Sequence, residues 1–154
     1  MKNKVSRILA IVAIGVFAAS IAGRAAASNK DDAVSLVEQA AAMMKSAGKE
    51  KALAAINDPK GPFVKGTLYV FAYDIDGTIV AHPMNHRLIG KNMMAVKDAD
   101  GKAFTKDFVE TAKSAAGKGW VDYRWTNPVT KKVEAKSSYV ERVGDGFLGC
   151  GVYK

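Results

Sequence analysis

The sequence predicts an α+β fold: a sheet of about five antiparallel strands, preceded by a long helix and interrupted by a crossover helix. Three observations carry this. Asp31 to Ala47 repeats apolar residues at helical spacing, Tyr69 to Pro83 alternates aromatic and small residues around an Asp-Gly turn, and three strand-like runs close the chain with only short turns between them.

Taken in order, the chain opens with Lys2, Lys4 and Arg7, then an apolar run from Ile8 to Ile21, then Ala25-Ala26-Ala27. A basic start, a short apolar stretch and a small-x-small site are the parts of an export signal, with cleavage after Ala27. The run is shorter than the roughly 20 residues a spanning helix needs, and Arg24 closes it; left uncleaved, the same segment is an N-terminal membrane anchor. The expected organisation is therefore a leader over 1–27 and one domain over 28–154, with a helical arm at about 31–57 and a sheet region at about 63–154. The expected location is periplasmic or secreted.

Half of the net charge of +8 belongs to Lys2, Lys4, Arg7 and Arg24, and the remaining basic residues are scattered among acidic ones. A nucleic-acid partner is excluded on that ground, since it calls for a basic face or stripe. Cys150, the only cysteine, has no partner for an internal disulfide and no CxxCH for haem, so it reads as a small buried residue of the last strand.

In the helical arm Val34, Val37, Ala41 and Met44 share a face, and Gly48 separates this helix from a shorter one over Lys49 to Ile56. Asn57-Asp58-Pro59-Lys60-Gly61-Pro62 breaks the helical pattern and hands over to the sheet. Next comes the hairpin, where Tyr69, Phe71 and Tyr73 share one strand face and Gly77 supplies the turn. If Asp74 and Gly77 close the loop, Phe71 opposes Val80 and Tyr69 opposes His82; a glycine bulge shifts this register. Met84 to Lys97 is irregular and long enough to cover a sheet face. Asp98-Ala99-Asp100-Gly101 is a turn, Thr105 to Ala116 a helix with Phe104, Phe108 and Ala112 inward, and the strands Trp120 to Thr126, Val133 to Arg142 and Phe147 to Tyr153 complete a PAS-like order of elements.

Two chemistries compete for the hairpin. The run from Phe71 to Thr78 resembles the DxDGT strand of haloacid-dehalogenase-type phosphatases, which implies Asp74 as nucleophile, Asp76 as general acid and a magnesium ion between them. The Lys and second acidic cluster of that chemistry are missing, and the downstream strands read as antiparallel where a parallel sheet is required. A metal-dependent phosphatase is thus the runner-up. His82 and His86 lack a third ligand, and neither Asp-x-Asp-Gly run completes a calcium loop, so no metal or cofactor is expected.

The stronger reading is a small-ligand pocket and no enzymatic activity. Val121, Tyr123 and Trp125 share one strand face, and if Thr126 pairs with Val133, Tyr123 lies opposite Lys136 and Trp125 opposite Glu134. An ammonium set among aromatic rings calls for an anion, and a small carboxylate would satisfy Lys136 and His82 while the rings enclose its apolar tail.

These residues come together as a family resemblance. Tyr69-x-Phe71, the Asp-Gly turn, His82-Pro83, Leu88-Ile-Gly-Lys-Asn92, Asp98-x-Asp-Gly101, Gly119-Trp-Val-Asp-Tyr123-x-Trp125-x-x-Pro128, Lys136-x-Ser-Tyr139 and Gly149-Cys-Gly-Val-Tyr153 resemble, as an ordered set from about Asp31 onward, a single Cache domain of the second subtype. The resemblance implies an extracytoplasmic PAS-like sensor domain of chemoreceptors and sensor kinases, acting in chemotaxis and signal transduction, often on acetate, propionate, pyruvate or lactate. It implies Tyr69, Phe71, His82, Pro83, Tyr123, Trp125 and Lys136 as pocket residues. Receptors of this type continue into a signalling module, whereas this sequence shows no second apolar segment before Lys154. A free-standing periplasmic domain is expected, signalling through a membrane receptor or sensor kinase, with the long helix as a candidate homodimer face.

Overall fold

The computed structural model describes the backbone of residues 21–154 and side chains from residue 29 onward. The expected leader falls largely outside those residues. Helix α1 (Ile21–Ala47) begins ten residues before the predicted Asp31, and α2 (Lys49–Asn57) follows after Gly48, whose φ of 91° turns the chain without a Cβ penalty. No described helix is long and apolar enough to cross a membrane.

The sheet has six strands where about five were predicted. They are β1 (Val64–Lys65), β2 (Leu68–Asp74), β3 (Ile79–Ala81), β4 (Lys118–Thr126), β5 (Val133–Val143) and β6 (Gly146–Tyr153). The extra one, β1, has two residues and pairs Val64 with Tyr69, too short a run to leave a periodic signal. All pairings are antiparallel and the order is β1-β2-β6-β5-β4, with β3 beside the far end of β2. Helix α3 (Phe104–Lys113) crosses between β3 and β4 as expected, one residue earlier at its start and three earlier at its end than the sequence predicted.

The sheet has an inner layer on each face. Under α1 and α2 lie Leu36, Val37, Ala40, Ile56, Val70, Leu148 and Cys150, and on the other face Tyr69, Phe71, Tyr73, Phe104, Phe108, Tyr123 and Phe147 form an aromatic layer. Strand β2 is therefore buried on both faces, which is why Leu68 to Tyr73 carries no polar residue.

The hairpin register corrects the sequence reading. Tyr73 pairs with Ile79 and Ala72 with Ala81, a bulge that displaces the expected pairing first by one residue and then by two. The loop is wider than a two-residue turn: Thr78 O accepts from Asp74 N, and Asp74 O from Gly77 N. Because the total displacement is even, His82 keeps the face it shares with Tyr69, at 5.3 Å between ring centroids.

The Asp98 turn closes the outer edge of β4. Asp98 accepts from the backbone N–H groups of Asp100 and Lys102 within its own turn and from Arg124 N on the strand, while Lys102 Nζ donates to Asp122 O. Burial alone would raise the Asp98 carboxyl; the Arg124, Lys102 and Asp100 amides outweigh it and hold it below the usual carboxylate range.

Cys150 is 0 % exposed, and burial pushes its thiol up to about 12. A thiol reagent at pH 8 should therefore leave the native protein unlabelled and react only as fast as the fold opens, which absorbance under native and denaturing conditions will report. Rapid stoichiometric labelling of folded protein would contradict this placement of β6 against α1.

Candidate functional site

The site begins with the alternation of β6. Leu148, Cys150 and Val152 point toward α1, so Phe147, Gly149, Gly151 and Tyr153 face the aromatic layer. A Cβ on Gly149 would overlap the Phe71 ring, and one on Gly151 would overlap Ser138 Oγ and lie 2.5 Å from Lys136 Cε. The two glycines make a bare floor on which a ring and a lysine stem lie flat.

Lys136 comes from β5, paired with Tyr123 on one side, as predicted, and with Tyr153 on the other. The residue is 1 % exposed, and its buried ammonium sits 4.0 Å from the centroid of the Tyr69 ring, 4.8 Å from that of Tyr153 and 5.7 Å from that of Phe71, with no hydrogen-bond partner among the described residues. Ring quadrupoles offset part of the desolvation of a cation but satisfy none of its three donors. Burial accordingly lowers the Lys136 pKa to about 7.

His82 is the second polar group of this layer, and two neighbours fix it. Its backbone N–H donates to Asn57 Oδ1 at 2.9 Å, and its Nδ1 accepts from Asn85 N at 3.1 Å. An acceptor at Nδ1 places the ring proton on Nε2, so neutral His82 presents a donor. Burial, reinforced by the nearby Lys136 charge, lowers its pKa to about 3. Asn57, the last residue of α2, also receives His86 Nε2 on its carbonyl at 2.8 Å and so ties the helical arm to the chain leaving β3.

A cavity of about 230 Å³ opens beside these groups. Of the seven predicted residues, Tyr69, His82 and Trp125 line it. Lys136 and Tyr123 are not on its wall: they line a separate cavity of about 200 Å³ at the β4 edge, with Asp98, Asp100 and Asp122. The Lys136 ammonium meets the first cavity only through the Tyr69 ring it rests on, while Phe71 packs in the aromatic layer and Pro83 is buried next to His82. Tyr123 stacks on Phe104 at 4.7 Å and is hydrogen-bonded to Ser138 Oγ at 3.0 Å. The sequence reading missed Met84, Asn85, Thr126, Pro128 and Lys131 on the cavity wall and Tyr153 behind it. Tyr153 was legible in part, because alternation from Phe147 places it on the Lys136 face; its hydroxyl donates to Thr126 O at 2.8 Å. A larger cavity of about 390 Å³ lies at the sheet end where α1 meets α2, but among the described residues no buried unpaired polar atom belongs to its mostly apolar walls.

The phosphatase reading is not supported. Strand β2 runs antiparallel to all its neighbours, Asp76 Oδ1 is engaged by Thr78 N within the turn, and Asp74 Oδ1 lies 3.5 Å from Lys49 Nζ. No group of three metal-ligating side chains occurs among the described residues.

An antiparallel sheet with α1 and α2 on one face, and on the other α3, a small cavity and a buried cation without a counter-ion among the described residues, has the PAS-like architecture of a ligand-binding domain. The family described as Single Cache domain 2 matches residues 29–153, and the chain belongs to it. The sensor histidine kinase MctS of Rhizobium johnstonii is 34 % identical over 87 residues, which cover 55 % of this chain and 18 % of that protein; the chain thus spans less than a fifth of that relative. Among solved structures, a Cache chemosensory domain described as a basis for carboxylic acid recognition superposes with a TM-score of 0.72 at 25 % identity over 87 % of this chain and 99 % of its own. The periplasmic sensor domain of a chemotaxis protein gives 0.68 at 27 % identity over 88 % and 99 %.

The depressed Lys136 pKa makes the empty domain sensitive to alkali in an unusual sense. The folded ammonium releases its proton near 7 while the unfolded one holds it to about 10.5, so stability should rise with pH across that window, by about 1.4 kcal/mol per unit from this residue. Lys136→Met should flatten that slope and raise the midpoint of the unliganded protein at pH 6, as urea titrations at several pH values will show. Gly151→Ala should do the opposite, lowering stability by about 1–3 kcal/mol through overlap with the Lys136 stem.

Proposed function

We propose that this domain binds a short organic acid on the aromatic face of its sheet, in the size class of acetate, propionate, pyruvate or lactate, and has no catalytic activity of its own. The observation that carries this reading is the buried Lys136 ammonium, which has no hydrogen-bond partner while a small cavity stands beside the Tyr69 ring it rests on. A carboxylate there would accept from Lys136 Nζ and from His82 Nε2–H, while Tyr69 and Trp125 enclose its carbon chain. Both groups are held away from their charged forms by burial and, for His82, by the charge of the other, so an anion relieves both at once.

The carboxylic acid recognition described for the superposed Cache chemosensory domain supports this reading. The kinase and chemotaxis relatives support a receptor or sensor kinase as the downstream partner, with the domain working outside the cytoplasm after export on its leader. Ligand occupancy would bear on the helical arm through Asn57, which joins α2 to His82.

Calorimetric titration with C2 to C4 acids should give saturable binding that weakens above pH 7, by up to tenfold per unit, as Lys136 loses the proton the carboxylate needs. Lys136→Met and His82→Ala should each weaken binding by about 1.5–3 kcal/mol without unfolding the domain. Unchanged affinity in both variants would remove the assignment, and no binding of any organic acid would remove the reading itself.

A further inference from the structure

The cavity beside Tyr69 carries one lysine on its own wall, in addition to the Lys136 ammonium that rests on the Tyr69 ring. Lys131, an exposed residue of the β4–β5 loop, lines the wall together with Tyr69, His82 and Trp125, and no hydrogen bond or ion pair engages its side chain among the described residues. None of the cavity-lining residues is acidic. Glu134, cross-strand from Trp125, makes no ion pair with Lys131: its two oxygens accept from Asn127 Nδ2 at 2.7 Å and Thr130 Oγ1 at 2.5 Å.

The loop that holds Lys131 is built for its shape. Asn127 is 5 % exposed, and its Oδ1 accepts from Val129 N at 2.9 Å, while its carbonyl accepts from Lys131 N at 2.9 Å. Lys131 itself has a φ of 62°, the only described non-glycine residue in the left-handed region. Asn or Gly would take that conformation at less cost, yet a lysine stands there, and the cation is the property it adds.

We infer that the preferred ligand carries two anionic groups on a short chain, a dicarboxylate of about three to five carbons, with one carboxylate at Lys136 and His82 and the other at Lys131. This rests on the organic-acid reading above and extends it to slightly longer acids with a second charge. The inner contact is enclosed and sets most of the affinity, whereas the outer one is exposed and adds discrimination between acids of equal length. A ligand with one carboxylate leaves Lys131 in water at no cost, so monocarboxylates bind too, but more weakly.

The test is a calorimetric comparison of malonate, succinate and glutarate with propionate, butyrate and valerate on the wild-type protein and on Lys131→Asn, which keeps the left-handed backbone and removes the charge. At low salt at least one dicarboxylate should bind roughly fivefold tighter than the monocarboxylate of equal length, and the advantage should shrink both in Lys131→Asn and at 0.5 M salt. Lys131→Gly checks the backbone separately and should behave as Lys131→Asn does. Monocarboxylates binding as tightly as dicarboxylates would overturn the inference and leave the organic-acid reading standing. A dicarboxylate preference that survives in Lys131→Asn would also overturn it, by placing the second anion elsewhere. Failure of every acid to bind would overturn both.

Discussion

Strand β6 has to serve two layers with opposite demands, and the arrangement of the domain follows from how it does so. Toward α1 it offers Leu148, Cys150 and Val152, a row of apolar side chains that a helix can cover. Toward the other layer its centre offers only Gly149 and Gly151, so the space that side chains would fill is taken by Phe71 from β2 and by the stem of Lys136 from β5. A lysine can lie buried here because its neighbour on the floor has no side chain. Remove that hollow and the ammonium must go to solvent or the strands must part.

The electrostatics of the site follow from this burial. An ammonium below the surface with ring faces and no acceptor is held at a free-energy cost, and the neutral imidazole of His82 a short distance away is held neutral for the same reason. The two groups share a deficit that one anion can remove. On the proposed reading, selectivity for charge would follow, because a neutral ligand of the same shape would leave both groups as they were.

Much of this was legible because it rests on periodicity. The alternation of Tyr69, Phe71 and Tyr73, the pairing of Tyr123 with Lys136 and the order of helices and strands all follow from side-chain periods of two and of three to four. What was not legible depends on contacts between distant parts of the chain. Asn57 looks like part of a breaker, and only the fold brings its side chain to His82. Lys131 looks like a turn residue until the loop is closed beside the cavity. The hairpin register failed for a local reason, since a bulge between Ala72 and Tyr73 leaves the hydrophobic pattern intact while changing the partners. Its even displacement is why the predicted face of His82 survived a wrong register.

The turn at Asp98 bears on how such a domain can be read by another protein. By taking up the outward amide of Arg124 and covering the carbonyl of Asp122, it occupies backbone groups along the free side of β4; the opposite side of the sheet ends in the short β1 and β3. Backbone pairing recognises nearly any extended chain, so a sensor with an open edge would be a promiscuous one. With those two groups taken up, strand addition at the middle of β4 is disfavoured, and side chains on helices and loops offer a partner the more selective surface.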